Sequence, residues 1–186
     1  MSQKESTGLT LTQNFLVRNF YRNNTTAAKA STRGNLSTSQ LSYEDALALR
    51  RAAKKLGSYS YSDGEDDETI RNTVKAYVET YNNALSTADG TGDSSLKRAA
   101  RQLKQLTSKY SEDLEDIGIT VGSDGKLSIT EGLLKEVDMT KIKEAFHSEN
   151  NFMKQIDTKS KRLASQANDF IYSQLTGNGS RINLGL

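Results

Sequence analysis

The chain lacks cysteine, proline and tryptophan, and it holds a single histidine, His147, among its 186 residues. Without cysteine the protein has no disulfide and no thiol nucleophile, and one histidine cannot build a metal site from several imidazole rings. Without proline, nothing in the sequence forces a long helix to kink or stop. These absences favour a helical protein, and we assign no residue to catalysis, to a metal or to a cofactor.

Long apolar runs are missing as well. The first eight residues contain none, and no window approaches the roughly 20 apolar residues that cross a bilayer. Apolar residues make up 34% of the chain, which suffices for a thin core of the kind that helix pairs bury. We therefore expect neither a cleavable signal peptide nor a membrane partner.

Charge is divided unevenly along the sequence. Residues 1–62 carry nine basic and three acidic side chains, whereas residues 63–186 carry 16 basic and 20 acidic ones. Two predicted helices hold basic clusters that could follow a phosphate backbone. Because the net charge is only +2, we expect these clusters to be solvated helix faces and rank nucleic-acid binding third among the hypotheses. They are Arg50, Arg51, Lys54 and Lys55 in one helix and Lys97, Arg98, Arg101 and Lys104 in the other.

A short apolar hairpin over 117–129 is the most informative feature that is present. Its apolar residues alternate along two short strands, so they share one face of a two-stranded ribbon. Asp124 and Gly125 predict the turn, and Gly118 would permit close approach of the ribbon to a helix. Since an isolated hairpin is marginal in water, this one must pack against helices. The alternating residues are Ile117, Ile119, Val121, Leu127 and Ile129.

Three parts are expected along the chain. Residues 1–40 are predicted to be a flexible N-terminal segment with a short helix, because the stretch 23–39 is polar and reads as a linker. Residues 41–176 are predicted to form one helical coiled-coil domain that contains the hairpin, and residues 177–186 a short tail.

Capping residues and helical periodicity mark the first helices of that domain. Ser42 and Asp45 form a predicted capping box for the second helix of the chain. Apolar residues over 70–88 then recur at alternating steps of four and three, which is the seam of a coiled coil. Asp93 is a natural cap for a fourth helix over 94–114, which should pair antiparallel with the third.

Further helices are predicted after the hairpin. One should begin at Thr130, and Asp138 is a cap for the next. The last helical region keeps heptad register to about residue 175, with a break expected at 148–151. Together the elements predict a mainly α protein, an elongated antiparallel helical bundle or coiled coil with one small β-hairpin.

The stripe of the last helix is a candidate interface. If residues 153–175 extend past the shorter helices, their apolar stripe is exposed in a monomer and needs a second copy or another partner. We therefore predict self-association through this helix. The stripe consists of Ile156, Leu163, Ala167 and Phe170.

A calcium-binding loop is the strongest alternative for the hairpin region. An EF-hand register that starts at Thr120 places Asp124, Gly125 and Glu131 at suitable positions. The first and third positions, however, are Thr120 and Gly122, which removes two carboxylate ligands. We therefore predict no metal site here.

The hairpin and its neighbours also carry a family resemblance. Leu114 precedes Ile117-Gly118-Ile119-Thr120, and Asp124-Gly125-Lys126-Leu127-Ser128-Ile129 leads into a helix with Glu131 and Leu134. Over about residues 68–175, this order resembles the C-terminal part of the flagellar filament-capping protein, hook-associated protein 2. In that family the leg at the filament tip consists of a helix pair, a small ribbon with this Gly-Ile-Thr and Asp-Gly-Lys-Leu sequence, and a long C-terminal helix.

The resemblance implies a structural role without catalysis, outside the cell in a bacterial flagellum. The implied partners are further copies of the chain or flagellar axial proteins, and no small-molecule substrate is implied. The chain departs from the family because 186 residues leave no room for the large β-rich domains that lie between the family's terminal helices. The alternative hypothesis is a cytoplasmic helical adaptor that binds a partner protein.

Overall fold

The computed structural model describes residues 11–61 and 66–177, and the predicted mainly helical fold with one hairpin is confirmed within them. Four long helices, α3, α4, α5 and α9, carry most of the buried surface, and the shorter elements pack around them. The elements in chain order are α1 Leu11–Phe20, α2 Ala30–Arg33, α3 Thr38–Gly57, α4 Asp67–Gly90, α5 Ser94–Lys109, α6 Ser111–Glu115, β1 Ile119–Val121, β2 Leu127–Ile129, α7 Glu131–Glu136, α8 Met139–Phe146 and α9 Asn151–Gly177.

The long helices run antiparallel to their neighbours. Arg50 of α3 pairs with Asp157 of α9, and Ser39 near the start of α3 bonds to Gln174 near the end of α9. α3 and α4 are antiparallel in the same way. Tyr81 of α4 bonds to Thr107 near the end of α5, which confirms the predicted antiparallel pairing of these two helices. Each pair closes an apolar seam, as expected for a helical bundle.

Three of the described helices have an aspartate as their N-terminal cap. The Asp93 carboxylate accepts hydrogen bonds from the backbone amides of Ser95 and Leu96, and the Asp138 carboxylate accepts from Thr140, so both predicted caps are confirmed. The bond from the Thr140 amide also lowers the pKa of the Asp138 carboxyl group. Asp66 caps α4 in the same way, one residue before its first turn.

The predicted capping box of α3 is wrong. The helix begins one turn earlier, at a box formed by Ser37 and Gln40, whose side chains each bond to the other's backbone amide. Ser42 and Asp45 lie inside the helix and are fully buried. The correction has a local cause, because the Ser37-to-Gln40 spacing also satisfies the capping pattern and the helix starts at the first of the two boxes.

The predicted boundary at residue 40 is also wrong, because it falls inside α3. Residues 11–40 pack onto the bundle, with α1 lying against α4 and α3. Val17, Phe20 and Tyr21 are buried there, and within the polar stretch 23–39 Ala27 is buried and Arg33 bonds to Asp45 of α3. Residues 1–10 and most of the predicted tail lie outside the described residues.

Two predicted helices are interrupted at aromatic contacts. The fourth predicted helix stops at Lys109 and restarts as α6, since Tyr110 leaves helical geometry at φ −109° and ψ 23°. Its ring packs against Phe152, with 5.2 Å between the ring centroids. The expected break at 148–151 is confirmed, because α8 ends at Phe146 and α9 begins at Asn151. The 27 residues of α9 span about 40 Å.

Candidate interaction surfaces

The ribbon packs its apolar face against the helices. Ile119 lies opposite Ile129 and Val121 lies opposite Leu127 in the antiparallel register. Ile119 and Leu127 are buried, and Val121 and Ile129 are partly buried against the core. The ribbon is therefore held by packing against helices, which a three-residue strand pair requires.

Asn82 of α4 fixes the outer edge of the second strand. Its side-chain amide donates to the Leu127 carbonyl at 2.8 Å, and its side-chain oxygen accepts from the Leu127 amide at 2.8 Å. Both backbone groups of Leu127 point away from β1 in this register. The side chain thus takes the place of a third strand at that residue.

Both predicted glycines of the ribbon have left-handed backbone conformations. Gly118 has φ +80°, and a Cβ atom there would lie 2.9 Å from the Leu134 backbone nitrogen. Gly125 has φ +81°, and a Cβ atom would lie 2.6 Å from Cγ of Lys104. Asp124 of the turn accepts a hydrogen bond from the Lys126 amide. Side chains at either glycine would be strained and would separate the ribbon from its helices.

Charged side chains of α4 bind α7 beside the ribbon through hydrogen bonds and an ion pair. The Arg71 guanidinium donates to the carbonyls of Leu134 and Val137, each at 2.9 Å. One turn later Lys75 pairs with Glu131 at the start of α7. The ribbon and α7 therefore lie along one helix, α4.

A buried carboxylate, Asp45, joins the N-terminal segment to the bundle. It receives two hydrogen bonds from Arg33, at 2.6 and 2.9 Å, one from the Tyr21 hydroxyl at 2.6 Å and one from Thr87 at 2.8 Å. Burial, and then the Asp45 charge, raises the pKa of Tyr21 well above its usual value. Sequence reasoning assigned Asp45 to a cap, although its place within the apolar stripe of α3 was a signal of burial. The network is structural, since all of its acceptor groups are occupied from within the chain.

The predicted interface stripe of α9 is wrong for three of its four residues. Ile156, Leu163 and Ala167 are fully buried within the chain, where α9 packs against both α3 and α5. Phe170 is partly buried against the same core. The premise of exposure in a monomer fails because α3 is long enough to cover the stripe, its first turn reaching Gln174.

The exposed apolar surface of α9 lies further along, at its last turns. Tyr172 is 61% exposed and Leu175 is 68% exposed. Elsewhere in the described residues, the large apolar side chains left exposed are Phe15 on α1 and Leu133 on α7. These four residues lie on three different helices.

Two of the depressions on the described surface border the long helices α3 and α4. One of about 660 Å³ separates the end of α3 from the start of α9 and is lined by Lys54, Gly57, Met153 and Lys154 among others. The other, of about 490 Å³, lies between α4 and α7. Both are open grooves, and the first has an apolar floor with two lysines at its rim.

Within the described ranges, no three histidine, cysteine, aspartate or glutamate side chains are grouped as a metal site would require. His147 follows α8, and its Nδ1 accepts a weak hydrogen bond from the Glu149 amide at 3.4 Å. None of the helices in this part of the chain is long and apolar enough to cross a membrane.

Comparisons with protein families, with curated proteins and with solved structures find no match for this chain.

Proposed function

We propose that this protein is a non-catalytic structural or assembly component of a bacterial flagellum, built like the helical leg of the filament-capping protein. Its partners are further copies of itself and flagellar axial proteins. One observation carries the proposal: the ribbon with the family-like sequence packs against α4, approaches Lys104 of α5 at its turn, and leads into the helices that end in α9. This is the order of elements that the resemblance implies for the leg.

The geometry of the two ribbon glycines supports the proposal. A generic coiled coil has no need for glycine at these positions, whereas Gly118 and Gly125 both have positive φ and both lie against helices. Asn82 and Tyr81 of α4 bond to the backbone of the same ribbon. The motif that suggested the family therefore corresponds to a specific docked corner of the fold.

The test is the location of the intact protein in its native cells. Culture supernatant, sheared flagella and cytosol are probed with an antibody, in the wild type and in a strain that lacks flagellar export. We expect the protein in the supernatant or the flagella of the wild type alone, with a cytosolic enzyme as the control for lysis. Retention in the cytosol of both strains would contradict the flagellar role.

A cytoplasmic helical adaptor is the second candidate, and the groove between α3 and α9 favours it. The groove has an apolar floor that includes Met153, with Lys54 and Lys154 at its rim. Such a groove suits an amphipathic acidic segment of a partner protein. The same fractionation separates the two functions, because an adaptor stays in the cytosol in both strains.

A further inference from the structure

Charge in the folded bundle is separated by helix. Together α3, α5 and α9 carry 13 lysines and arginines against four carboxylates. The stretches 66–90 and 110–150, which contain α4 and the elements from α6 to α8, carry 15 carboxylates against six lysines and arginines. Since α9 packs against both α3 and α5, the three positive helices are neighbours. A net charge of +2 therefore conceals two large and opposite charges on one molecule.

The three positive helices carry exposed cations that we name together the basic face. Its side chains are exposed, and within the described residues none of them pairs with a carboxylate. Two of them line the same groove between α3 and α9. The basic face consists of Lys54, Arg98, Arg101, Lys154, Lys161 and Arg162.

The acidic counterpart lies around α6 and α8, and we name it the acidic end. Glu112, Asp113, Glu115 and Glu144 are exposed there, and in the described part of the chain none has an ion pair. Asp113 and Glu144 line one depression of about 180 Å³. Its one lining cation, Lys141, is already 3.4 Å from another carboxylate.

We propose that the basic face of one copy binds the acidic end of the next copy. Unpaired charges of opposite sign on two different surfaces of one chain are complementary, and such complementarity sets orientation and association rate. Because the two surfaces differ, the contact is head-to-tail, and it repeats either around a closed ring or along an open array. The inference rests on the proposed assembly role, and it replaces the buried stripe of α9 as the surface for self-association.

A second copy fits these charges better than a polyanion does. A nucleic acid could neutralise the basic face, but it would be repelled by the acidic end and would leave that end without a partner. A second copy supplies both signs at once.

Sedimentation velocity of the purified full-length chain tests the proposal. We expect the sedimentation coefficient to rise with concentration at low salt and to fall to the monomer value at about 1 M salt, where the screening length is about 3 Å. The association constant should fall by at least about tenfold over this range, because the contact is electrostatic. Measurement in solution is independent of cellular location, so its failure is distinguishable from failure of the flagellar role.

Charge-reversal variants identify the surfaces. Arg98→Glu with Arg101→Glu reverses two of the six charges of the basic face, and Glu112→Lys with Asp113→Lys reverses two of the four charges of the acidic end. Each variant alone should be monomeric at low salt, whereas an equimolar mixture should associate, since each retains the surface that the other has lost. All four positions are exposed, so circular dichroism should show wild-type helicity.

A control with the same change in net charge as the Arg98→Glu, Arg101→Glu variant reverses Arg18 and Arg22, which are exposed in the N-terminal segment and belong to neither surface. This control should associate like the wild type. A monomer at every salt concentration, or association that ignores salt, would overturn the proposal. So would a monomer whose basic face binds a duplex DNA probe and loses it in the Arg98→Glu, Arg101→Glu variant, since the partner would then be a polyanion.

Discussion

Two buried tyrosines of α4, one turn apart, should respond in opposite directions to the same change. The Tyr77 hydroxyl is completely buried, and it has no hydrogen-bond partner among the described residues. The Tyr81 hydroxyl is also buried, but it lies 2.8 Å from the Thr107 hydroxyl and donates to the Gly125 carbonyl at 3.2 Å. Changing each to phenylalanine deletes one oxygen and leaves the ring in place.

The expected changes in the free energy of unfolding follow from whether each hydroxyl group has a hydrogen-bond partner. Tyr77→Phe removes a hydroxyl whose loss of water is uncompensated, so it should stabilise the protein by about 1 kcal/mol. Tyr81→Phe breaks satisfied bonds and should destabilise it by about 1 kcal/mol. The packing of the Tyr77 ring against Phe146, at 5.4 Å between centroids, is available to phenylalanine as well.

Thermal unfolding followed by circular dichroism measures the difference. For a chain of this size about 1 kcal/mol shifts the melting temperature by about 2–4 °C, so the two variants should melt about 4–8 °C apart. Urea unfolding of the same variants checks that the slope, and hence the surface exposed, is unchanged. Equal destabilisation by the two changes would refute the reasoning, because it would mean that the Tyr77 hydroxyl is satisfied.

Three further predictions concern charge and the ribbon. Asp45→Ala should lower the free energy of unfolding in urea by about 3–5 kcal/mol, because it leaves the Arg33 guanidinium without its partner. Asp157→Ala breaks a partly exposed ion pair and should lower it by less than about 1 kcal/mol. Similar losses in the two variants would contradict the role of the Asp45 network. Burial raises the pKa of Tyr21, Tyr77 and Tyr81, so each stays protonated in the folded protein above pH 10 while it ionises in the unfolded chain. Stability should therefore be intact below pH 10 and fall above it by up to about 1.4 kcal/mol per pH unit for each tyrosine, and a flat alkaline profile would refute this. Asn82→Ala should lower the free energy of unfolding in urea by about 1–3 kcal/mol, because it removes both hydrogen bonds to Leu127. Ser86→Ala, on the exposed side of α4, should have no measurable effect. Equal effects of the two changes would show that Asn82 does not stabilise the ribbon.

Local patterns predicted the elements whose cause is local. The hairpin follows from strand alternation and the Asp124-Gly125 turn, and the caps at Asp93 and Asp138 follow from residues one turn away. The capping pattern failed where it occurred twice in succession, because the sequence does not say which box begins the helix. The burial of Asp45 depends on Arg33 and Tyr21, which only the folded chain brings together.

The error on α9 is of a different kind. Whether a stripe of apolar residues is core or interface depends on the length of the neighbouring helices, and α3 began earlier than its predicted cap allowed. The charge separation likewise could be recognised only once the packing of the helices was known, since α3, α5 and α9 are distant in sequence and neighbours in space. The basic residues on α3 and α5 could be listed from the sequence. The position of α9 between these two helices could not be predicted from it.

The amide of Asn82 has a bearing on solubility. A strand with unpaired backbone groups along its edge is a template on which other chains can add strands, and such addition leads to aggregation. By occupying the free amide and carbonyl of Leu127, the Asn82 side chain blocks the start of that edge within each monomer. This contact therefore protects the protein against uncontrolled β-pairing at Leu127, on the α4 side of its small sheet.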